Sequence, residues 1–355
     1  MLKKTTYPNV GYLYAIVSAV LFGSSTPAAK YLINEISPLL LAGLLYLGAG
    51  LGLSIILIRQ QFISKTLREP SLLPRDYKLL ASATLFGGIL GPALLMFGLI
   101  KTQAATASLL LNLESLFTAL IAWIFIKEHT DKRLIFGMLL ILIGSIILVW
   151  QRHLIFSNLI GPSLIAGACI AWAIDNNVTR KISAADPLKI VLIKSLVAGS
   201  FNVTLALLLG ATLANKLSIL SLSAVIGFLG YGLSIIYFIL ALRYIGTART
   251  SAYFSIAPFV GASFSIFFLG ESLSLQLIMA GILMGLGIWL HLTERHLHKH
   301  RHEFFIHEHM HYHDEHHQHE HLTSDLKESH SHLHIHAPLL HSHPHYPDIH
   351  HRHKH

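Results

Sequence analysis

The sequence predicts an all-α integral membrane protein, with ten transmembrane helices arranged as two inverted five-helix repeats and followed by a disordered tail. Three observations carry that reading. Between residues 11 and 291 lie ten apolar stretches, each about long enough to cross a hydrocarbon core of about 30 Å, which takes roughly 20 helical residues. The two halves of this region resemble one another. From His291 onward the composition turns to histidine, which holds 24 of the 26 histidines in the chain. A mean hydropathy of +0.57, reached although the last 65 residues are polar, excludes a soluble globular protein.

Taken in order, the spans fall near 11–29, 37–58, 79–100, 104–126 and 134–150 in the first half, and near 159–179, 187–209, 219–241, 248–269 and 274–291 in the second. The first has a secretory signal as its rival, since Lys3 and Lys4 precede it and Ser25 to Ala29 are small. The apolar run from Val10 to Ile33 outlasts a signal core, so it reads as a retained helix. Trp150 and Trp289 fall at span ends, where an indole keeps its N–H in the headgroup layer. Gly48 and Gly52, and Gly281 and Gly285, are spaced to let helix backbones approach closely. The single cysteine, Cys169, reads as a small core residue.

Charge sets the expected orientation. Before position 291 there are 20 Lys and Arg against nine acidic residues. With ten spans both termini share a side, and the short loops on that side carry 15 basic residues against 4 on the other. This positive-inside bias places both termini and the tail in the cytoplasm, in a bacterial inner or plasma membrane. It also accounts for the pI of 9.5 without nucleic acid as a partner. The lipid bilayer and a small-molecule solute are the expected partners.

The repeat is visible in two places. "LLLNLESLFTALIAWIFIKE", ending at Glu128, matches "SAYFSIAPFVGASFSIFFLGE", ending at Glu271, and Gly11 to Lys30 aligns with Gly161 to Arg180. Five spans per copy force the second to insert upside down. The domain reading is a first repeat over 8–152, a second over 157–292, and a His-rich cytoplasmic tail over 293–355. In transporters of this architecture the solute sits near the midplane between the repeats. Within the spans there is no pair of histidines, no HExxH and no G-K-[ST] motif, so neither zinc-protease nor ATP-driven chemistry is indicated, the protein is not read as an enzyme, and no cofactor is required.

These residues resemble the drug/metabolite transporter superfamily, and within it the EamA-type members built of two five-helix repeats. The resemblance covers about residues 8 to 291 and rests on "FGSSTPAAK", "LESLFTALIAWIFIKE", "IAPFVGASFSIFFLGE" and "AWAIDNNVTRKISAADPL". It implies export or import of small organic solutes. One departure stands out: the second copy has Ala257 and Pro258 where the first has Glu114 and Ser115.

Glu114 is the leading candidate for a solute or proton site. It lies about 14 residues, roughly 21 Å, from the end of its span at Glu128, where a charged carboxylate costs at least roughly 2.5–3.5 kcal/mol. The functional reading is a proton carrier or a ligand for a substrate amine; the structural one is a hydrogen-bonded acid tying two helices. Asn112 and Thr118 lie within about a turn. A second polar cluster, Asp175, Asn176 and Asn177, sits in span six at a depth matching Lys194 in span seven, so Asp175 and Lys194 are expected to pair. Such a pair is as often structural as functional. Pro27 predicts a kink in span one. Trp172, Tyr231, Tyr237 and Tyr253 are candidates for a cavity lining, with core packing the commoner role. Glu128 and Glu271 read as interfacial charges rather than ligands.

The tail alternates histidine with other residues, at His296, His298, His300 and His302, at His307, His309, His311 and His313, at His316, His317, His319 and His321, and at His330, His332, His334 and His336. Neutral imidazoles suit Zn, Ni, Co and Cu, so a divalent transition metal on the tail is expected. The leading functional reading is a secondary transporter of a small organic metabolite or drug-like solute, proton-coupled through Glu114. The alternative is a transition-metal (Ni, Co or Zn) transporter or a metal-responsive membrane sensor that uses the tail.

Overall fold

The computed structural model describes residues 7–63, 72–126, 132–150, 156–182, 185–213, 217–292, 296–301, 305–311, 330–336 and 340–345. Up to residue 292 these residues are helical apart from short connections. The first repeat comprises α1 (Tyr7–Leu32) and α2 (Pro38–Ile63), then a third span made of α3 (Asp76–Ala83), a π-helical segment (Thr84–Leu90) and α4 (Gly91–Ile100). A fourth span is split into α5 (Ala104–Leu110) and α6 (Leu113–Ile126), and α7 (Lys132–Val149) is the fifth. The second repeat runs through α8 (Phe156–Thr179), α9 (Pro187–Leu208), α10 (Leu217–Gly227), a π-helical segment (Phe228–Leu233), α11 (Ser234–Phe254), α12 (Ala257–Leu269) and α13 (Leu275–Leu292). Eight of the expected spans are long and apolar enough to cross a membrane, and α12 and α13 are shorter apolar helices in the places of the ninth and tenth.

Helix α11 carries the chain out of span eight and back into span nine. Phe238 and Phe254 have ring centroids 4.8 Å apart, whereas sixteen residues of straight helix would separate them by roughly 24 Å. The backbone therefore reverses within this helix.

Packing follows the pseudo-two-fold axis of an inverted repeat. Span one lies against spans eight and nine, and span six lies against spans three and four, which are their counterparts. Span two pairs with seven, and five with ten. All of these contacts join one repeat to the other, so the copies interlock rather than sit side by side. In lipid, where no hydrophobic drive separates protein from solvent, close van der Waals approach holds helices together.

Glycine makes the closest approaches possible. A Cβ at Gly227 would lie 1.9 Å from the carbonyl oxygen of Leu45, and one at Gly48 2.5 Å from the backbone of Ala224, so spans two and eight touch backbone to backbone. A Cβ at Gly52 would lie 2.2 Å from the ring of Phe228. The matching expectation for Gly281 and Gly285 is not met: a Cβ at either would come no nearer than 3.8 Å to the side chains of Leu109 and Phe259, an ordinary contact. In that helix Gly287 is the close one, where a Cβ would lie 2.7 Å from the carbonyl oxygen of Gly137.

Beyond residue 295, four short strands lie in the segment that composition reads as an unpacked tail. β1 (His296–Arg301) pairs antiparallel with β4 (Leu340–His345), and β2 (Phe305–His311) with β3 (His330–His336). The alternation of the tail has the period of a strand, and a two-stranded ribbon is marginal by itself. The side chains of the tail histidines lie outside the described residues.

Gly227→Ala is expected to lower the thermal unfolding temperature of the detergent-purified protein, since overpacking of this kind costs about 1–3 kcal/mol. Gly281→Ala, with open room for the methyl group, should leave it unchanged.

Candidate functional site

Spans three, four, eight and nine all depart from regular α-helix at mid-length. Span four breaks at Leu111–Asn112, and span nine breaks at Ser255–Ile256, one residue beyond the repeat-equivalent place. Spans three and eight carry their π-helical segments at matching places, with Gly87 and Gly88 in one and Gly230 and Gly232 in the other. Local unwinding at membrane depth is tolerated only where protein or a water-filled cavity satisfies the backbone. π-helical turns and broken helices also recur at functional sites.

The two breaks are made by different chemistry. In span nine Pro258 opens α12, where its missing N–H has no helical partner to deprive. Span four has no proline there. Instead the Asn112 side-chain amide donates to the carbonyl of Leu109 at 3.0 Å, and the Ser115 hydroxyl donates to the carbonyl of Asn112 at 2.8 Å. Side-chain groups thus compete with the helical ladder for its carbonyls. Glu114 follows directly as the second residue of α6.

The Glu114 carboxylate accepts a 2.7 Å hydrogen bond from Nδ2 of Asn176 in α8, across the boundary between repeats. Both side chains are half-buried. Next to them Asn177 donates to the carbonyls of Ala173 at 2.9 Å and Thr118 at 3.3 Å, so it links α8 to α6. The buried Thr118 hydroxyl has no hydrogen-bond partner among the described residues.

The pairing expected between Asp175 and Lys194 is present: Lys194 Nζ donates to Asp175 Oδ2, both side chains being 8% exposed. Thr179 completes the site by donating to Oδ1 at 2.9 Å. A Cβ at Gly87 would stand 1.9 Å from Asp175 Oδ2, so the ion pair requires glycine in the π-helical segment facing it. The Gly87 carbonyl in turn accepts from the Tyr46 hydroxyl at 2.8 Å and from Trp172 Nε1 at 3.0 Å. Five elements therefore converge: α2 through Tyr46, the first π-helical segment, α6, α8 and α9.

An aromatic group adjoins them. Phe22 lies 6.1 Å from Trp172, 5.9 Å from Tyr231 and 5.4 Å from Phe254 between ring centroids, and Tyr46 lies 5.3 Å from Tyr231. Phe22 and Trp172 are matched positions of the aligned repeats, so this contact straddles the pseudo-axis. Tyr237 and Tyr253 belong elsewhere, against Tyr14 and Tyr12 in the first half of α1. α1 runs unbroken through Pro27. The Gly23 carbonyl that proline leaves without its helical donor faces Gly261, whose Cβ would lie 2.7 Å away.

Of the residues singled out in the sequence, Glu114, Asn176, Asn177, Asp175 and Lys194 come together. Asn112 does not face them, because its amide is taken up by Leu109 and by the Met284 sulfur at 3.6 Å. Tyr46, Gly87 and Thr179 were not among the sequence candidates; the only trace of the first π-helical segment is a Gly-Gly pair in span three. Among the described residues no three His, Cys, Asp or Glu side chains are grouped to hold a metal ion.

A model of the EamA-like transporter family matches residues 9–150 and 159–293. An uncharacterized transporter of Methanothermobacter thermautotrophicus is 27% identical over 294 residues, covering 79% of this chain and 85% of its own length. A probable amino-acid metabolite efflux pump of Salmonella typhimurium is 26% identical over 301 residues, covering 79% of this chain and 94% of its own. A solved crystal structure superposes with a TM-score of 0.58 at 16% identity, over 81% of this chain and 96% of that one, which is a likeness of fold.

Removing one member of a buried ion pair leaves the other charged in a dry site, at about 3–5 kcal/mol. Asp175→Asn should therefore destabilise the protein strongly in thermal unfolding. The double variant Asp175→Asn with Lys194→Met should recover most of the loss, and a double variant no better than the single would show that the two act independently.

Proposed function

The chain belongs to the EamA-like transporter family, and from that premise we propose a secondary transporter that exports a small amino-acid-like metabolite, with the Glu114 carboxylate as the group that alternately binds a proton and the solute. It is an integral membrane protein and a transporter of small solutes; solute class, direction and coupling are the proposal. One observation carries it: the carboxylate and its Asn176 partner bridge the two repeats at a break in span four.

The chemistry follows from that position. Rocking of one repeat against the other changes the distance across their boundary, and the hydrogen bond between Glu114 and Asn176 spans it. A carboxylate that loses its amide partner needs a cation or a proton in its place. A protonated solute amine satisfies the first requirement, a proton the second, and exchange of one for the other couples their movements. The neighbouring Thr118 hydroxyl is a further polar group for a solute. Export is favoured by the name of the Salmonella relative, and cytoplasmic termini by the basic loops.

The absence of a metal-holding cluster among the described residues argues for an organic solute over a metal ion as cargo. Binding of Zn, Ni or Co by the tail histidines is then a separate property, and deletion of residues 295–355 should leave solute transport intact.

In proteoliposomes loaded with labelled amino acids, an imposed pH gradient should drive transport by the wild-type protein. Glu114→Gln should abolish the dependence on the gradient while leaving the folded, monodisperse protein unchanged. Gradient-driven transport that survives this substitution would remove Glu114 from the coupling mechanism.

A further inference from the structure

Opposite the chain termini, the turn joining spans three and four (Lys101–Gln103) is held from three directions. Glu271, just past the end of α12, accepts from the backbone N–H of Ala104 at 2.7 Å with one carboxylate oxygen and from that of Ala105 at 2.7 Å with the other. These are first-turn donors that have no partner within their own helix, and a carboxylate at this end of a helix is also favoured by the helix dipole. From the other side Lys30, near the end of α1, donates to the carbonyls of Leu99 and Thr102, the latter at 2.9 Å. Gly161 of α8 packs beneath, where a Cβ would lie 2.4 Å from the Thr102 hydroxyl and 3.0 Å from Lys101.

Lys30 holds the turn from within the first repeat, whereas Gly161 and Glu271 belong to the second, and of these two Glu271 alone makes hydrogen bonds to it. Those two bonds join the second repeat to a helix of the first, across the boundary that alternating access must open. Just below it the repeats also touch directly: Ser108 of α5 is 1% exposed, and a Cβ at Gly261 of α12 would lie 2.7 Å from its hydroxyl oxygen. The sequence reading of Glu271 as an interfacial charge therefore misses a specific partner.

Resting on the transporter reading, we infer that Glu271 is a positioning residue for transport: a latch that closes the end of the bundle opposite the termini by capping span four, and that releases when the solute passage opens there. The closed state described here has the latch made. Transport requires that it break and re-form once per cycle, so weakening it shifts the population toward the state open at that end.

The test uses the full-length protein in proteoliposomes, with Ser108→Cys as reporter in a Cys169→Ser background and a membrane-impermeant maleimide applied from the face opposite the termini. With Glu271 intact the reporter should label slowly. Glu271→Ala should speed labelling by about tenfold, given the strength of charge-assisted hydrogen bonds, and Glu271→Gln, which keeps one good acceptor, should fall between. Unchanged labelling in both variants overturns the latch. If Glu271→Ala fails to fold, the Gln variant decides alone, in the same direction. Because labelling needs no solute, a faster rate without any measurable transport would leave the latch standing and count against the transporter reading instead.

Discussion

The constraint on which this structure depends is that the hydrocarbon layer offers no water to a backbone amide or carbonyl. A regular helix meets it automatically, and a transporter cannot be made of regular helices alone, because a solute site needs polar groups turned away from the ladder. The chain meets both demands by confining its irregular backbone to spans three, four, eight and nine and wrapping it in the other repeat. The carbonyl of Gly87 shows the principle: within a π-helical segment it takes two donors, Tyr46 and Trp172, from two different helices.

That solution requires the helices to be close, and closeness is supplied by small residues. Gly227 against Leu45, Gly48 against Ala224 and Gly23 against Ala257 bring backbones of opposite repeats into contact. The same logic runs through the polar site. Only a residue without a side chain leaves room for the Asp175 carboxylate beside the first π-helical segment. The ion pair with Lys194 thus depends on packing geometry as much as on charge.

Legibility in the sequence tracks how local the signal is. The spans, the repeat and the membrane class were readable because length and apolarity are local properties. Glu114, Asp175 and Lys194 stood out because an ionisable group in an apolar run is conspicuous, and depth counting by helix rise was enough to pair the last two. What escaped depends on three-dimensional register. A π-helical turn has no distinct side-chain period, so Gly87 and the tyrosine it engages carried no mark. Asn112 was grouped with Glu114 because its polarity was visible, while its use as a local bond to Leu109 was not. Glu271 was placed at the correct depth and given no partner, although counting crossings puts it on the same face as the start of span four.

The two copies are equivalent in architecture and unequal in chemistry, and the inequality has a physical cause. A break in a helix can be made by a proline, which removes a donor and needs nothing else, or by side chains that take over the freed carbonyls. The second copy uses Pro258. The first uses Asn112 and Ser115, which leaves the adjoining position free for Glu114 where the second copy has Ala257. Opposite, the aligned helices differ in the same sense, with Asp175 and Asn176 in span six where span one has Ser25 and Thr26. Symmetry supplies the scaffold that can rock. The departures from it concentrate the mid-membrane ionisable groups on one side of the pseudo-axis, so at that depth the Glu114 carboxylate faces the boundary between the repeats, where the proposed exchange of a proton for a solute places it.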